Sequence, residues 1–247
     1  SLHKIVFWLL MMLSLTLRAQ VPRFDKVQAL KDTLLEMANQ PADTLFASSC
    51  KWFVQVIESQ NILSSHDSSV LSATYDTFCL NNGDGNCRKY STYLDRKRPL
   101  TIAWESATDG TLSFAYLYLP REWEPEIAYP LYIHLHGFGD NTHTPIDYLT
   151  RYFLKKENES FGYEDGFYLL PWGRGNLWYK GISETDIFEC REAFEKMVNI
   201  DTERQYLKGH SMGGFGAWYI GSHSPKMWAA LGIEAGALLN GGENVLS

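Results

Sequence analysis

A chain of 247 residues, 45% hydrophobic and 21% charged, is long enough to bury a sizeable core, as one domain with an extension or as two small ones. That balance excludes an intrinsically disordered chain. A formal net charge of −7 and the lack of any basic run exclude an electrostatic footprint for nucleic acid and a polybasic membrane patch.

The first element along the chain is an address. His3 and Lys4 precede an apolar run from Ile5 to Leu13 and on to Leu17, closed by Arg18-Ala19-Gln20. A short basic region, an apolar stretch of this length and a small residue at the cut predict a secretory signal peptide over residues 1–19. The run falls short of the ~20 apolar residues of a membrane span, and no cysteine follows the cut, so no stable membrane anchor is expected. The protein is therefore predicted to be secreted or periplasmic. Export makes Cys50, Cys79, Cys87 and Cys190 disulfide candidates, with all three pairings open. Cys79 and Cys87 flank the turn-rich stretch Asn81 to Asn86, whereas Cys190 lies in an amphipathic run and also suits a buried thiol. No C-x-x-C pair occurs, which argues against a zinc knuckle or a redox motif.

Residues 20–95 read as a mainly helical N-terminal extension. Phe24, Val27, Leu30, Leu34, Leu35 and Ala38 recur at helical spacing, and Pro41 closes the segment. Leu45 to Ile57 fits either a buried helix or a strand. The stretch from Asn81 to Asn86 is a turn and not a calcium loop, because an EF-hand alignment puts Leu80 at the first ligand position.

Residues 96–247 change pattern. Leu100 to Ala107 and Thr111 to Leu119 are strands joined at Asp109-Gly110, a strong hairpin signal. Tyr129 to Leu135 is a third strand, Pro145 to Lys156 a helix, and Phe167 to Leu170 a fourth strand. Glu184 to Asn199 is a helix with Ile187, Cys190, Phe194, Met197 and Val198 on one face. A strand over Gln205 to Lys208, a helix from Ser211 and a strand over Trp228 to Glu234 complete the series. A hairpin followed by alternating strands and helices predicts an α/β fold whose sheet begins antiparallel and becomes mostly parallel.

The chemistry lies at Gly209-His210-Ser211-Met212-Gly213-Gly214, which fits the G-x-S-x-G nucleophile elbow. A strand precedes it and a helix follows, the context the motif requires. Ser211 is then a nucleophile. An oxyanion formed by its attack needs backbone N–H groups. One is that of Met212; the second is that of Phe138 or its neighbour Gly137, in the loop after the third strand. His134 and His136 share a strand face at zinc-ligand spacing, but no third ligand is in view, so no metal or other cofactor is predicted. His136 reads as a structural hydrogen-bonding residue under the oxyanion loop.

The segment from about Leu100 to Gly236 resembles the first two-thirds of an α/β-hydrolase core. It is most similar to the secreted esterase and depolymerase branch (feruloyl and acetylxylan esterases, polyhydroxybutyrate depolymerases), which grades into prolyl-oligopeptidase-type serine peptidases. The matching motifs are Tyr129-Pro130-Leu131 through His136-Gly137-Phe138-Gly139, Trp172-Gly173-Arg174-Gly175-Asn176, Glu184-Thr185-Asp186, and Ile200-Asp201 ahead of the elbow. The resemblance places the loop from Trp172 to Tyr179 on the catalytic face, so Arg174, Asn176, Trp178 and Tyr179 are candidates to line the substrate or, equally, to pack the loop. Ser183 and Asp186 form an S-x-x-D helix start, which points to capping and not catalysis. In these families the triad acid and histidine follow later strands. A minority place the acid after strand six, near Glu234. His223 lies about 18 Å along the following helix from Ser211, too far to be the base.

The reading is a C-terminally truncated α/β-hydrolase domain, its last strands missing and the chain as it stands nearly inert. The parent is expected to be a secreted serine hydrolase cleaving carboxylic esters, of polysaccharide or small acyl substrates, through an acyl-enzyme. Its alternatives are an exported prolyl-oligopeptidase-type serine peptidase and, from another class, a non-catalytic binding protein on a hydrolase scaffold. The expected partner is an ester or peptide substrate, polysaccharide-linked in one version of the reading.

Overall fold

The computed structural model describes residues 100–120, 122–139, 142–145, 148, 165–236, 239–240 and 243–244, with scattered positions between 31 and 58. The signal-peptide run and the 79–87 loop lie outside them. Leu100–Glu105 (β1) and Leu112–Tyr118 (β2) form an antiparallel hairpin with Ile102 opposite Ala115. Its turn follows from the sequence: Gly110 takes φ 69°, and Thr111 N–H donates to Asp109 Oδ1 at 3.0 Å. Tyr129–Leu135 (β3), Phe167–Pro171 (β4), Ile200–His210 (β5) and Ala230–Glu234 (β6) extend this into a six-stranded sheet of order β1-β2-β4-β3-β5-β6. β2 pairs with β4 antiparallel, and β4, β3, β5 and β6 run parallel. Order and directions are those of the α/β-hydrolase sheet that the resemblance implies. Leu239–Asn240 (β7) and Glu243–Asn244 (β8) form a separate two-stranded pair.

Two helices flank these strands. Ile182–Glu195 (α1) packs against β1 and β2, and Met212–His223 (α2) against β3, β5 and β6. Leu131, Ile133 and Leu135 of β3, Leu169 and Leu170 of β4 and Leu207 of β5 are wholly buried. Each such side chain contributes about 1.5–3 kcal/mol of burial free energy. β4, buried at every position, is a strand covered on both faces, whereas β3 alternates buried with half-buried residues. Cys190 is a buried thiol whose pKa burial pushes well above the usual value, with Asp186 adding to the rise. Among the described residues, no helix is long and apolar enough to cross a membrane.

Three details differ from the sequence expectation. β5 begins at Ile200, ahead of Gln205, because the polar stretch 201–204 hides a strand with a register slip between Tyr129↔Ile200 and Leu131↔Gln205. Asp201 holds that irregularity, accepting from Glu203 N–H at 3.0 Å and Arg204 Nε at 2.6 Å. α1 ends at Glu195, and Met197 N–H closes on Phe194 O at 2.9 Å, so Met197 and Val198 are off its face. Ser183 and Asp186 do not cap α1. The N-cap is Gly181, with no side-chain bond, which puts Ser183 inside the helix, where its hydroxyl donates to Gly173 O.

In the N-terminal region every described residue from 31 to 58 except Asn39 is helical, which resolves the run from Leu45 to Ile57 as helix at its described positions. Leu34, Cys50, Trp52 and Val54 are buried there. Trp52 meets Phe114 of β2 with ring centroids 4.0 Å apart, so this region shares the core of the sheet.

Candidate active site

The junction of β5 and α2 holds Ser211 at φ 56°, ψ −117°. A non-glycine residue in that region is strained by about 1–3 kcal/mol, and the neighbours explain why it stays. Its own N–H donates to Glu234 O at 2.8 Å, tying the elbow to β6. Phe215 N–H donates to Ser211 O at 3.0 Å and starts the helix. The side chain is exposed and makes no capping bond; among the described residues its hydroxyl has no hydrogen-bond partner. Met212, first residue of α2, has a backbone N–H with no acceptor inside the helix. The loop after β3 closes on the same point: a Cβ on Gly137 would sit 3.6 Å from Ser211 Cβ and 3.3 Å from His210 O. Ser211, the N-terminus of α2 and the backbone of the loop after β3 thus converge.

The loop after β4 is unusual in its backbone. Gly173, Arg174, Gly175, Trp178, Tyr179 and Gly181 all have φ between 54° and 76°. These left-handed residues turn successive side chains in directions that the residue types do not advertise. Arg174 enters an ion network. Its Nε donates to Asp186 Oδ1 at 3.0 Å, and its Nη1 reaches Asp109 Oδ2 at 3.3 Å and also donates to Thr111 Oγ1. Tyr179 is wholly buried and donates its hydroxyl to His136 O at 3.0 Å. Asn176 bonds to Gly139. Of the four candidate lining residues in this loop, Trp178 alone presents an exposed ring, 41% accessible, 6.4 Å from that of Phe138 and 5.8 Å from that of Phe215.

His136 is buried, and both its ring nitrogens face carbonyls: Nδ1 lies 2.9 Å from Gly137 O and Nε2 2.8 Å from Trp172 O. It is a brace between two loops. Tyr168 Oη lies 3.5 Å from His134 Nδ1, and no cluster of three metal-ligating side chains occurs among the described residues. His223 ends α2 with Nδ1 2.7 Å from Glu184 Oε1. Glu234 contributes its carbonyl oxygen to the elbow, and its side chain is exposed.

Sequence reasoning passed over Leu177 and Phe215. Leu177 is exposed beside Trp178, and Phe215 stands one helical turn after Ser211, a spacing that places both on one face of α2. That i, i+4 relation was the available signal.

Asp186 accepts from Ser113 Oγ at 2.9 Å as well as from Arg174. Its pKa is raised from 3.8 to about 6: burial outweighs the attraction of Arg174 and the bond from Ser113. The folded protein therefore holds this proton more tightly than the unfolded chain does. Stability from this group is highest below pH 3.8 and falls as pH rises towards about 6, by on the order of 3 kcal/mol. The Asp186 carboxyl carbon is expected to titrate in NMR with a midpoint near 6. Asp186→Asn should flatten the melting temperature against pH over that window; parallel curves for the two proteins would contradict the assignment.

No protein-family model matches the chain. Over 158 residues, 58% of this chain, it is 24% identical to dipeptidyl-peptidase 5 of Porphyromonas gingivalis and spans 22% of that protein's length. Similar solved structures include a thermostable esterase, 22% identical over 54% of this chain and 40% of that one, with a TM-score of 0.39. A ferulic acid esterase from the anaerobic fungus Anaeromyces mucronatus is 18% identical, covering 53% of this chain and 56% of its own at TM-score 0.40. A fluorophosphonate-binding serine hydrolase of Staphylococcus aureus is 16% identical over 54% of this chain and 55% of its own, at TM-score 0.38. The chain thus spans about a fifth of the curated relative and between 40% and 56% of these structures.

Proposed function

We propose that this chain, with its α/β-hydrolase sheet, carries the nucleophile and oxyanion donors of an exported serine hydrolase that cleaves carboxylic esters through an acyl-enzyme. The observation that carries the reading is Ser211 itself: a serine in a strained elbow at the sheet's carboxyl edge, its hydroxyl unengaged and the oxyanion loop against it. Ser211 Oγ attacks the carbonyl carbon while its proton passes to a general base. The carbon–oxygen bond to the leaving alcohol then breaks and the alcohol takes that proton, leaving an ester on Ser211 that water hydrolyses. The N–H of Met212 and that of Phe138 or Gly137 hold the oxyanion. No described residue hydrogen-bonds to Ser211 Oγ, so this reading assigns the base to a histidine outside the described residues. The apolar N-terminal run supports export and a substrate met outside the cytoplasm.

A peptidase is the second reading, favoured by the sequence relative named dipeptidyl-peptidase 5. The test uses the complete gene product, a fluorophosphonate probe and two substrate sets. The adduct is expected on the peptide containing Ser211, with short p-nitrophenyl or feruloyl esters turned over faster than peptide anilides. Faster anilide cleavage would move the assignment to the peptidase. An adduct on another residue would remove Ser211 from both readings, and no adduct together with no turnover would leave a non-catalytic scaffold.

A further inference from the structure

The candidate oxyanion donor lies in Gly137-Phe138-Gly139, a sequence that by itself cannot hold a conformation. Glycine on both sides leaves the two peptide planes about Phe138 with the widest backbone freedom, and the Phe138 ring, 62% exposed, is not buried against the fold but meets another exposed ring, that of Trp178. Preorganisation is the source of an oxyanion hole's effect, so something else must fix these planes.

The structure shows what does. Tyr179 donates its hydroxyl to His136 O at 3.0 Å, which orients the peptide entering Gly137. The next peptide has Gly137 O facing His136 Nδ1 at 2.9 Å. Because C=O and N–H of a trans peptide point in opposite directions, that contact also sets the direction of the Phe138 N–H. The following two planes are gripped by one side chain. Gly139 N–H donates to Asn176 Oδ1 at 3.4 Å, and Asn176 Nδ2 donates to Gly139 O at 3.0 Å. Thr142 Oγ1 lies 2.9 Å from Asn176 Oδ1 and 2.8 Å from Gly139 O, its one proton serving two acceptors. Trp172 Nε1 donates to Thr142 O at 3.1 Å and fastens the same corner.

We infer that Asn176 is a positioning residue for the oxyanion loop, not a substrate contact: it pins Gly139 from both sides and so fixes the peptide between Phe138 and Gly139, which adjoins the one that carries the Phe138 N–H. The inference rests on the serine-hydrolase reading for its kinetic consequence, but the clamp itself is a property of the fold. Asn176→Ala frees Gly139 to rotate. A donor displaced by about 1 Å costs up to about 100-fold in rate, while ground-state binding scarcely depends on it.

The test has two arms. In the complete gene product, with the best ester, Asn176→Ala is expected to lower kcat about 10- to 100-fold with KM within about twofold. A raised KM at unchanged kcat would make Asn176 a substrate contact, and unchanged kinetics would make it incidental; either overturns the inference. Thr142→Val, which removes one strut of the clamp at near-equal volume, is expected to lower kcat in the same sense but less. It decides the matter should the alanine variant not fold. The second arm needs no activity: amide exchange of Gly139 is expected to quicken at least about tenfold in Asn176→Ala and to stay unchanged in Ser211→Ala. Equal exchange in the Asn176 variant overturns the clamp. Absence of hydrolysis in the unsubstituted protein, or hydrolysis that survives Ser211→Ala, removes the serine-hydrolase reading, and exchange alone then decides the clamp.

Discussion

Ser211→Ala is expected to lower kcat for the preferred ester by roughly 10⁴- to 10⁶-fold with KM little changed, the pattern of losing a covalent nucleophile whose surroundings still bind substrate. The backbone makes a companion variant informative. Ser211 occupies φ 56°, a region alanine tolerates no better than serine, so Ser211→Ala keeps the strain and should leave stability nearly as it was. Ser211→Gly relieves it and should raise stability by about 1 kcal/mol while being equally inactive. Chemical denaturation of the three proteins checks the stability order, and steady-state kinetics with a short ester checks the rates. A variant without Ser211 that still turned over ester at even a hundredth of the original rate would require another nucleophile.

Gly213→Ala is expected to destabilise the protein by about 3 kcal/mol or more, a fall in melting temperature of roughly 6–12 °C, and to abolish activity. A Cβ at Gly213 would run into the carbonyl of Leu135 and close upon His136 O. Both obstacles are backbone, at the end of β3 where the loop from Gly137 to Gly139 begins, so no rotamer change makes room. α2 would have to lift off β3, and Met212 N–H would leave its place beside Ser211. Gly110→Ala is the control. Gly110 has φ 69°, but nothing lies within 4 Å of where its Cβ would stand, so only the conformational cost of about 1–2 kcal/mol applies, without loss of activity. Thermal melts of the two variants separate steric obstruction from backbone strain; equal losses would mean that α2 can shift without cost.

The parts legible in the sequence are those whose geometry is local. Asp109-Gly110 announces its hairpin because the turn needs left-handed backbone at one residue and an acceptor beside it. The G-x-S-x-G run announces the elbow because few side chains fit there. For the loop after β4 the sequence left substrate lining and loop packing equally open. Arg174, Asn176 and Tyr179 are residue types that suit a ligand, yet six left-handed residues between 173 and 181 turn them respectively toward Asp186, Gly139 and His136 O. No pattern of residue types encodes that many φ angles. Ser183 and Asp186 show the same limit. Their spacing fits a cap, but Gly181 starts the helix early, and both side chains serve tertiary contacts instead. The start of β5 was hidden for another reason: a register slip filled by polar residues has no alternation to detect.

The loop from Trp172 to Gly181 faces two ways, and this bears on how such a protein can change over generations. Inward, Asn176 and Tyr179 bond to the backbone of the loop that meets Ser211; outward, Leu177 and Trp178 stand exposed on the surface. One insertion or deletion there would shift both sets together. Exchanges at 177 and 178 leave the hidden side untouched, whereas any change in loop length moves the residues that bond to the loop after β3. Side-chain exchange at 177 and 178 is thus the change this fold absorbs most easily, and a change in loop length the one it absorbs least.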